Sequence, residues 1–237
     1  MPDNSHIAVI TGASSGIGRS IAKLLASNEI TVCLGARSTD KLEKIVNEIR
    51  SNGSNAFSYY LDLLDDKSIQ NFVKNVHSVG SVRTLINNSG FGKFDKIENT
   101  KISDWDEIMS VNLRGAFVLS KAFIPEMKRN KSGNLMFINS VAGRYGYPYS
   151  AGYVASKFGM RGLAESLRNE LRPDNIKVTS IYPGAVDSYF WDNVNADFPR
   201  EEMMSSDEIA ETVLFAIEKP VIGALEDIVI RRTKGDF

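Results

Sequence analysis

Apolar residues along the chain follow two alternating spacings. Short runs rich in Val, Ile and Leu are each followed by a stretch where apolar positions recur every three or four residues. The runs predict strands at His6–Thr11, Thr31–Ala36, Ala56–Leu61, Thr84–Asn87, Asn134–Ser140, Lys177–Tyr182 and Asp227–Ile230. The stretches predict helices at Ile17–Ser27, Lys41–Ser51, about Asp65–Val79, a long Ser103–Lys128, Tyr153–Leu171 and about Asp207–Glu218. In the second of these, Leu42, Ile45, Val46 and Ile49 share one face. Such alternation predicts an α/β fold with one doubly wound parallel sheet and helices on both faces. No linker or low-complexity tract divides the chain, so residues 1–237 are expected to form one domain.

Composition narrows the function classes. The 237 residues are 43% hydrophobic and 24% charged, with a formal net charge of -1. That balance offers no basic footprint for nucleic acid. No run of about 20 apolar residues is present, and the first ten residues lack the basic and apolar pattern of a signal peptide. A cytoplasmic protein acting on small molecules is the expectation, with no nucleic-acid, membrane or metal partner. The single cysteine, Cys33, lies in an apolar run and is expected to be buried and reduced.

The turn between the first strand and first helix reads Thr11-Gly12-Ala13-Ser14-Ser15-Gly16-Ile17-Gly18. Glycines there let backbone approach a pyrophosphate, and a helix start offers N–H groups and partial positive charge to phosphates. The strand before and the helix after favour dinucleotide binding over an ordinary turn. The spacing Gly12, Gly16, Gly18 resembles the T-G-x-x-x-G-x-G fingerprint of the short-chain dehydrogenase/reductase family, and implies a Rossmann sheet. At the end of the second strand stands Arg37, where an NAD-binding chain would carry an acid. A carboxylate would repel a 2′-phosphate, whereas a guanidinium binds one in a fork, so Arg37 favours NADP(H). Ser15 stands where some relatives add a second basic residue.

Further resemblances follow along the chain. Asp62, before Leu63, matches the aspartate that the family places at the adenine, although a helix cap is an equal reading of a lone acid there. Asn87-Asn88-Ser89-Gly90 resembles N-N-A-G, with Ser89 for alanine. Pro183-Gly184-Ala185-Val186-Asp187-Ser188 resembles P-G-x-V-x-T, with Ser188 for threonine. The resemblance implies that Ser14, Ser15, Ile17, Asn88, Ser89, Gly90, Pro183, Gly184, Val186 and Ser188 lie along the cofactor. The chain's end departs from the glycine-rich tail of many relatives, which removes the usual basis for tail contacts in an oligomer.

Tyr153 and Lys157 stand four apart in a predicted helix, on one face. A free phenol is a poor acid–base group at neutral pH, and a nearby ammonium is expected to lower its pKa. A phenol so tuned can give a proton to a carbonyl oxygen as hydride arrives. Ser140 precedes Tyr153 and could hold the same oxygen. Asn112 falls inside the long helix, where asparagine is a mediocre residue and a local disturbance could free a backbone carbonyl for water. Asn112, Ser140, Tyr153 and Lys157 match the family's catalytic tetrad in order and spacing. The resemblance implies that Tyr153 is the acid/base, Lys157 binds the nicotinamide ribose and tunes Tyr153, Ser140 orients substrate, and Asn112 anchors a relay water.

The expected activity is reduction of a ketone or aldehyde with NADPH. The alternatives are a non-catalytic NADP(H)-binding redox sensor and an NAD-dependent alcohol dehydrogenase. A short flap at about 185–205 carries Tyr189, Phe190, Trp191 and Phe198, which either meet a ring-bearing substrate or pack the flap down. Arg144, beside Val141, Ala142, Gly143 and Tyr145, is expected to face water. The resemblance also implies a homodimer or homotetramer built on the two long helices. There Met160, Leu163, Leu167 and Leu171 suit either an interface or the core.

Overall fold

The computed structural model describes residues 6–193, 199–219 and 223–235. Seven parallel strands form one sheet: β1 His6–Thr11, β2 Thr31–Ala36, β3 Ala56–Tyr60, β4 Ser81–Asn87, β5 Gly133–Ile138, β6 Ile176–Pro183 and β7 Asp227–Ile230. Their spatial order is β3-β2-β1-β4-β5-β6-β7. Both sheet faces are covered, as parallel strands require. On one face, Phe72 of α3 (Asp66–Val79), Leu119 and Phe123 of α5 (Gly115–Asn130), and Met160 and Leu171 of α6 (Ala151–Leu171) are buried against Val9, Leu85 and Phe137. On the other, Ile21 and Leu25 of α1 (Gly16–Ser27), Leu42 and Ile45 of α2 (Thr39–Ser51), and Val213 of α7 (Ser206–Glu218) bury Ile10, Leu34 and Ile86.

The chain leaves β1 in one direction for β2 and β3, and in the other for β4 onward. The strand order reverses between β1 and β4, and a crevice opens there at the strands' carboxyl ends. All the expected strands and helices form, with shifts that matter for the site. The long helix is not continuous: α4 (Ile102–Met109) passes through a π-helical turn at Ser110–Arg114 into α5. Met160 and Leu171 are core residues, and Leu163 and Leu167 pack partly buried against the same cluster. Cys33 is fully buried in β2, and burial pushes its thiol up to about 12, so it stays protonated.

The edge strand β7 is fastened by charge. Arg168 of α6 is almost buried and donates to the carbonyls of Val178 (3.1 Å) and Glu226 (2.7 Å) and to Asp227 Oδ1 (2.8 Å). Arg144 is not turned to water, as expected, but lies 3.5 Å from Asp227 Oδ2 with its guanidinium 5.2 Å from the Tyr182 ring centroid. A carboxylate on β7 and an aromatic face on β6 thus share this half-buried guanidinium with solvent.

Candidate functional site

The glycine turn sits at the crevice. Gly12 and Gly16 take left-handed φ values of +64° and +50°, which only glycine adopts without strain. A Cβ on Gly18 would lie 2.6 Å from both Asn88 Nδ2 and the Gly12 carbonyl oxygen, so the position admits no side chain. The end of β4 holds the turn down. Asn88 Nδ2 donates to the Thr11 carbonyl at 2.9 Å, and Thr11 Oγ1 accepts from the backbone N–H of Asn88 and of Ser89, each at 3.0 Å. Ser15 precedes α1 without a side-chain cap, and no acid occupies the helix's first turn. Ser14, Ser15 and Ile17 are half-buried along this surface. Backbone N–H groups, a helix start and tight glycines make a cradle that fits a pyrophosphate.

Arg37 is exposed just past β2, and it has no carboxylate partner among the described residues. Asp62 lies beyond β3, which stops at Tyr60, rather than ending the strand. It does not cap α3: Asp65 does, accepting from Lys67 N. Asp62 Oδ1 instead accepts from Leu64 N at 3.0 Å, and its own N–H meets Ser68 Oγ at 2.9 Å. That tight local turn starts the chain toward α3. The buried Leu63 fills the space that a Cβ on Gly115 would need, 2.8 Å away. Beyond β6, Gly184 N bonds the Ile230 carbonyl at 2.8 Å, and Val186 bridges Met204. A Cβ on Gly16 would meet Ser188 Cβ at 3.2 Å, so the segment after Pro183 lies directly on the glycine turn.

Asn112, Ser140, Tyr153 and Lys157 come together on the β4–β5 side of this crevice. Asn112 sits in the π turn, fully buried. Its Oδ1 accepts from Phe91 N at 3.0 Å, and its Nδ2 donates to the Phe91 carbonyl (2.9 Å) and to Ser156 Oγ (3.0 Å). Ser156 in turn donates to the Tyr153 carbonyl at 2.7 Å. A π turn displaces the regular backbone bonds of the helix, as the odd placement of asparagine suggested. Gly90 is next to both: a Cβ there would lie 3.3 Å from Asn112 Oδ1 and 3.6 Å from Lys157 Nζ.

Ser140 lies two residues past β5 and opens a short 3-10 turn at Val141–Gly143, rather than closing the strand. Asn139 Oδ1 accepts from Ser140 N at 2.9 Å, and Ser140 Oγ accepts from Ala142 N at 3.1 Å. Asn139 Nδ2 also donates to the Lys157 carbonyl at 3.2 Å, tying this turn to α6. The Ser140 hydroxyl lies close enough to the Tyr153 phenol to favour its ionised form. Lys157 is buried, with Nζ donating to the Ile138 carbonyl at 2.9 Å and lying 5.7 Å from the Tyr153 ring centroid.

The electrostatics differ from the sequence-based expectation. Burial raises the Tyr153 phenol to about 12, with the neighbouring Ser140 hydroxyl opposing it, and burial lowers the Lys157 ammonium to about 8. The ammonium does not pull the phenol down, because Lys157 is committed to the Ile138 carbonyl and both groups are desolvated. Tyr153 is therefore a neutral O–H donor at neutral pH.

Aromatic rings close over Tyr153. Phe190 of the flap lies 5.3 Å from it and Phe94 5.9 Å, centroid to centroid, while Phe94 and Phe190 are 5.8 Å apart. Trp191 stacks edge-on to Phe190 at 5.6 Å. Phe198 lies outside the described residues. Asn139, Ser156 and Phe94 carry contacts in the site that no motif in the sequence assigned to them. Asn139 carried a signal, a polar side chain closing the apolar run Phe137-Ile138. Phe94 carried none, since it meets Tyr153 only through the fold.

The sheet order, the glycine cradle at the strand reversal and the Ser–Tyr–Lys cluster beside it define a dinucleotide-binding oxidoreductase architecture. The profile of the short chain dehydrogenase family matches residues 6–198, and the chain belongs to that family. Sepiapterin reductase of Chlorobaculum tepidum is 36% identical over 240 residues, covering 98% of each chain. The 3-oxoacyl-acyl-carrier-protein reductase FabG of Staphylococcus aureus is 34% identical over 219 residues, covering 88% of this chain and 89% of that protein. Among solved structures, an alcohol dehydrogenase from the archaeon Thermococcus sibiricus, complexed with 5-hydroxy-NADP, superposes with a TM-score of 0.88 at 35% identity. It covers 96% of this chain and 97% of its own. A metagenomic short-chain oxidoreductase in complex with NADP gives a TM-score of 0.86 at 32% identity over 97% and 98%. No helix among the described residues is long and apolar enough to cross a membrane.

Proposed function

We propose that the chain reduces a ketone or aldehyde to an alcohol with NADPH, and that Tyr153 is the general acid. The observation that carries this reading is the Tyr153 phenol, neutral, beside the Ser140 hydroxyl and 5.7 Å from the ammonium of the buried Lys157. The bound NADPH would supply hydride to the carbonyl carbon. Tyr153 donates its proton to the carbonyl oxygen, and Ser140 holds that oxygen while negative charge develops. Lys157 binds the nicotinamide ribose hydroxyls and supplies positive charge beneath the phenol as its proton leaves. The Asn112 amide is spent on Phe91 and Ser156, so it holds the π turn in shape, and its backbone carbonyl anchors the relay water.

Cofactor contacts follow the crevice. Gly12, Ser14, Ser15, Gly16, Ile17 and Gly18 receive the pyrophosphate, and Arg37 takes the 2′-phosphate. Asp62 and Leu63 flank the adenine, while Asn88, Ser89 and Gly90 pass beneath the ribose. Pro183, Gly184, Val186 and Ser188 border the nicotinamide. The NADP and 5-hydroxy-NADP carried by two structural relatives support the choice of cofactor.

A protonated phenol favours reduction over NAD-dependent alcohol oxidation, which needs tyrosinate at the start. A redox sensor has no use for a neutral phenol gathered with a serine hydroxyl and a buried ammonium. Phe94, Phe190 and Trp191 around Tyr153 suit a carbonyl next to an apolar or aromatic group. The whole chain acts as one cytoplasmic domain, and pairs with a second copy through α5 and α6. There Phe117 and Phe158 are 48% and 42% exposed. The test is Tyr153→Phe, assayed with NADPH and aryl ketones. Turnover should fall by about a hundredfold or more with NADPH binding kept. Turnover retained in the variant would overturn the assignment of the acid.

A further inference from the structure

The flap touches more of the crevice than its catalytic side. Ser188 lies on the start of α1, and Phe190 packs on Tyr153 near the start of α6. Between them, Tyr189 reaches the start of α2, where Lys41 Nζ stands 5.2 Å from the centre of its ring. Lys41 is in the first turn of α2, a few residues past Arg37. Tyr189 is 60% exposed, so this contact is not a by-product of core packing.

The flap's own bonds fix these directions. Arg200 Nε donates to Asp187 Oδ1 at 2.7 Å, Nη1 to Asp192 Oδ1 at 2.6 Å, and Nη2 to the Ser188 carbonyl at 2.9 Å. Trp191 Nε1 donates to the Val186 carbonyl at 2.9 Å. These bonds bracket Tyr189 and Phe190 on both sides. One guanidinium thus holds a short turn that spans from Tyr153 to the neighbourhood of Arg37.

We propose that Lys41 and Tyr189 form a clasp across the mouth of the crevice that retards release of a bound nicotinamide dinucleotide. The inference rests on the cofactor reading above. A dinucleotide lying from Arg37 to Tyr153 passes beneath the flap and leaves only when the flap lifts. Lys41 on the Tyr189 ring ties the described turn of the flap to α2. An exposed contact of this kind changes a rate or equilibrium by about two- to fivefold.

The test is stopped-flow dissociation of NADPH and of NADH from the full chain, chased with excess NADP and read by nicotinamide fluorescence. Both residues are exposed, so their replacement leaves the core intact. Tyr189→Ala and Lys41→Gln should each speed release of both cofactors by about two- to fivefold, and the double variant should be no faster than either single one. Tyr189→Phe keeps the aromatic face and should release cofactor at the parent rate. Unchanged release in Tyr189→Ala, effects that multiply in the double variant, or a Lys41→Gln effect confined to NADPH would each overturn the clasp. The last of these would make Lys41 a phosphate ligand instead. Failure of the parent protein to bind either cofactor would refute the cofactor reading and the clasp together, an outcome distinct from the other three.

Discussion

Lys157 is a buried cation, and its burial has a cost that substitution can expose. Burial lowers its pKa from the ordinary 10.5 to about 8. That difference disfavours the charged form in the folded state by about 3 kcal/mol. Below pH 8 both folded and unfolded chains hold the proton, and the full penalty stands. Between pH 8 and 10.5 the folded chain has released its proton while the unfolded chain keeps it, so stability rises with pH across this window. Lys157→Met keeps the apolar stem and removes the ammonium. It also leaves the Ile138 carbonyl without its donor, which costs about 1–2 kcal/mol. The variant without cofactor should therefore be more stable than the parent at pH 7 by about 1–2 kcal/mol, or about 2–8 °C in Tm. Its advantage should vanish by about pH 10, and it should be inactive. Denaturant unfolding of both proteins across this pH range is the assay. A variant less stable at pH 7, or a parent whose stability is flat through the window, would refute the reasoning.

Other outcomes follow from the same geometry. Gly18→Ala places a Cβ 2.6 Å from Asn88 Nδ2 and the Gly12 carbonyl, so calorimetry should show cofactor binding lost along with about 1–3 kcal/mol of stability. Arg168→Ala removes the guanidinium that donates to the Val178 and Glu226 carbonyls and to Asp227, and should cost about 3 kcal/mol in urea unfolding, with hydrogen exchange rising first in β7. Arg37→Asp should weaken NADPH binding by about 2 kcal/mol, roughly thirtyfold, and leave NADH binding little changed.

Much of this site could be read from local sequence. The glycine spacing, Arg37 after β2 and the Tyr153–Lys157 pair depend on neighbours within one turn or one strand, where pattern and chemistry coincide. Asn112 was legible as a misfit in a helix, and the structure makes the misfit a π turn. The edges of strands were less so. Asp62 and Ser140 fall past the ends of β3 and β5, because their backbone groups turn to Ser68 and Asn139 instead of the next strand. Contacts made across the fold had no signature. Phe94 meets Tyr153 through the return of the chain, and Arg144 finds Asp227 on a strand 83 residues further on. The phenol's pKa also depends on total burial, which four residues of spacing do not report.

The central claim is that this crevice binds NADPH and uses it through Tyr153. It is tested most directly by titrating the purified protein with NADPH and with NADH and following nicotinamide fluorescence. Tight NADPH binding, with NADH weaker by roughly thirtyfold, is the predicted result. Equal affinity or a preference for NADH would contradict the role of Arg37, and binding of neither would contradict the reading of the crevice itself.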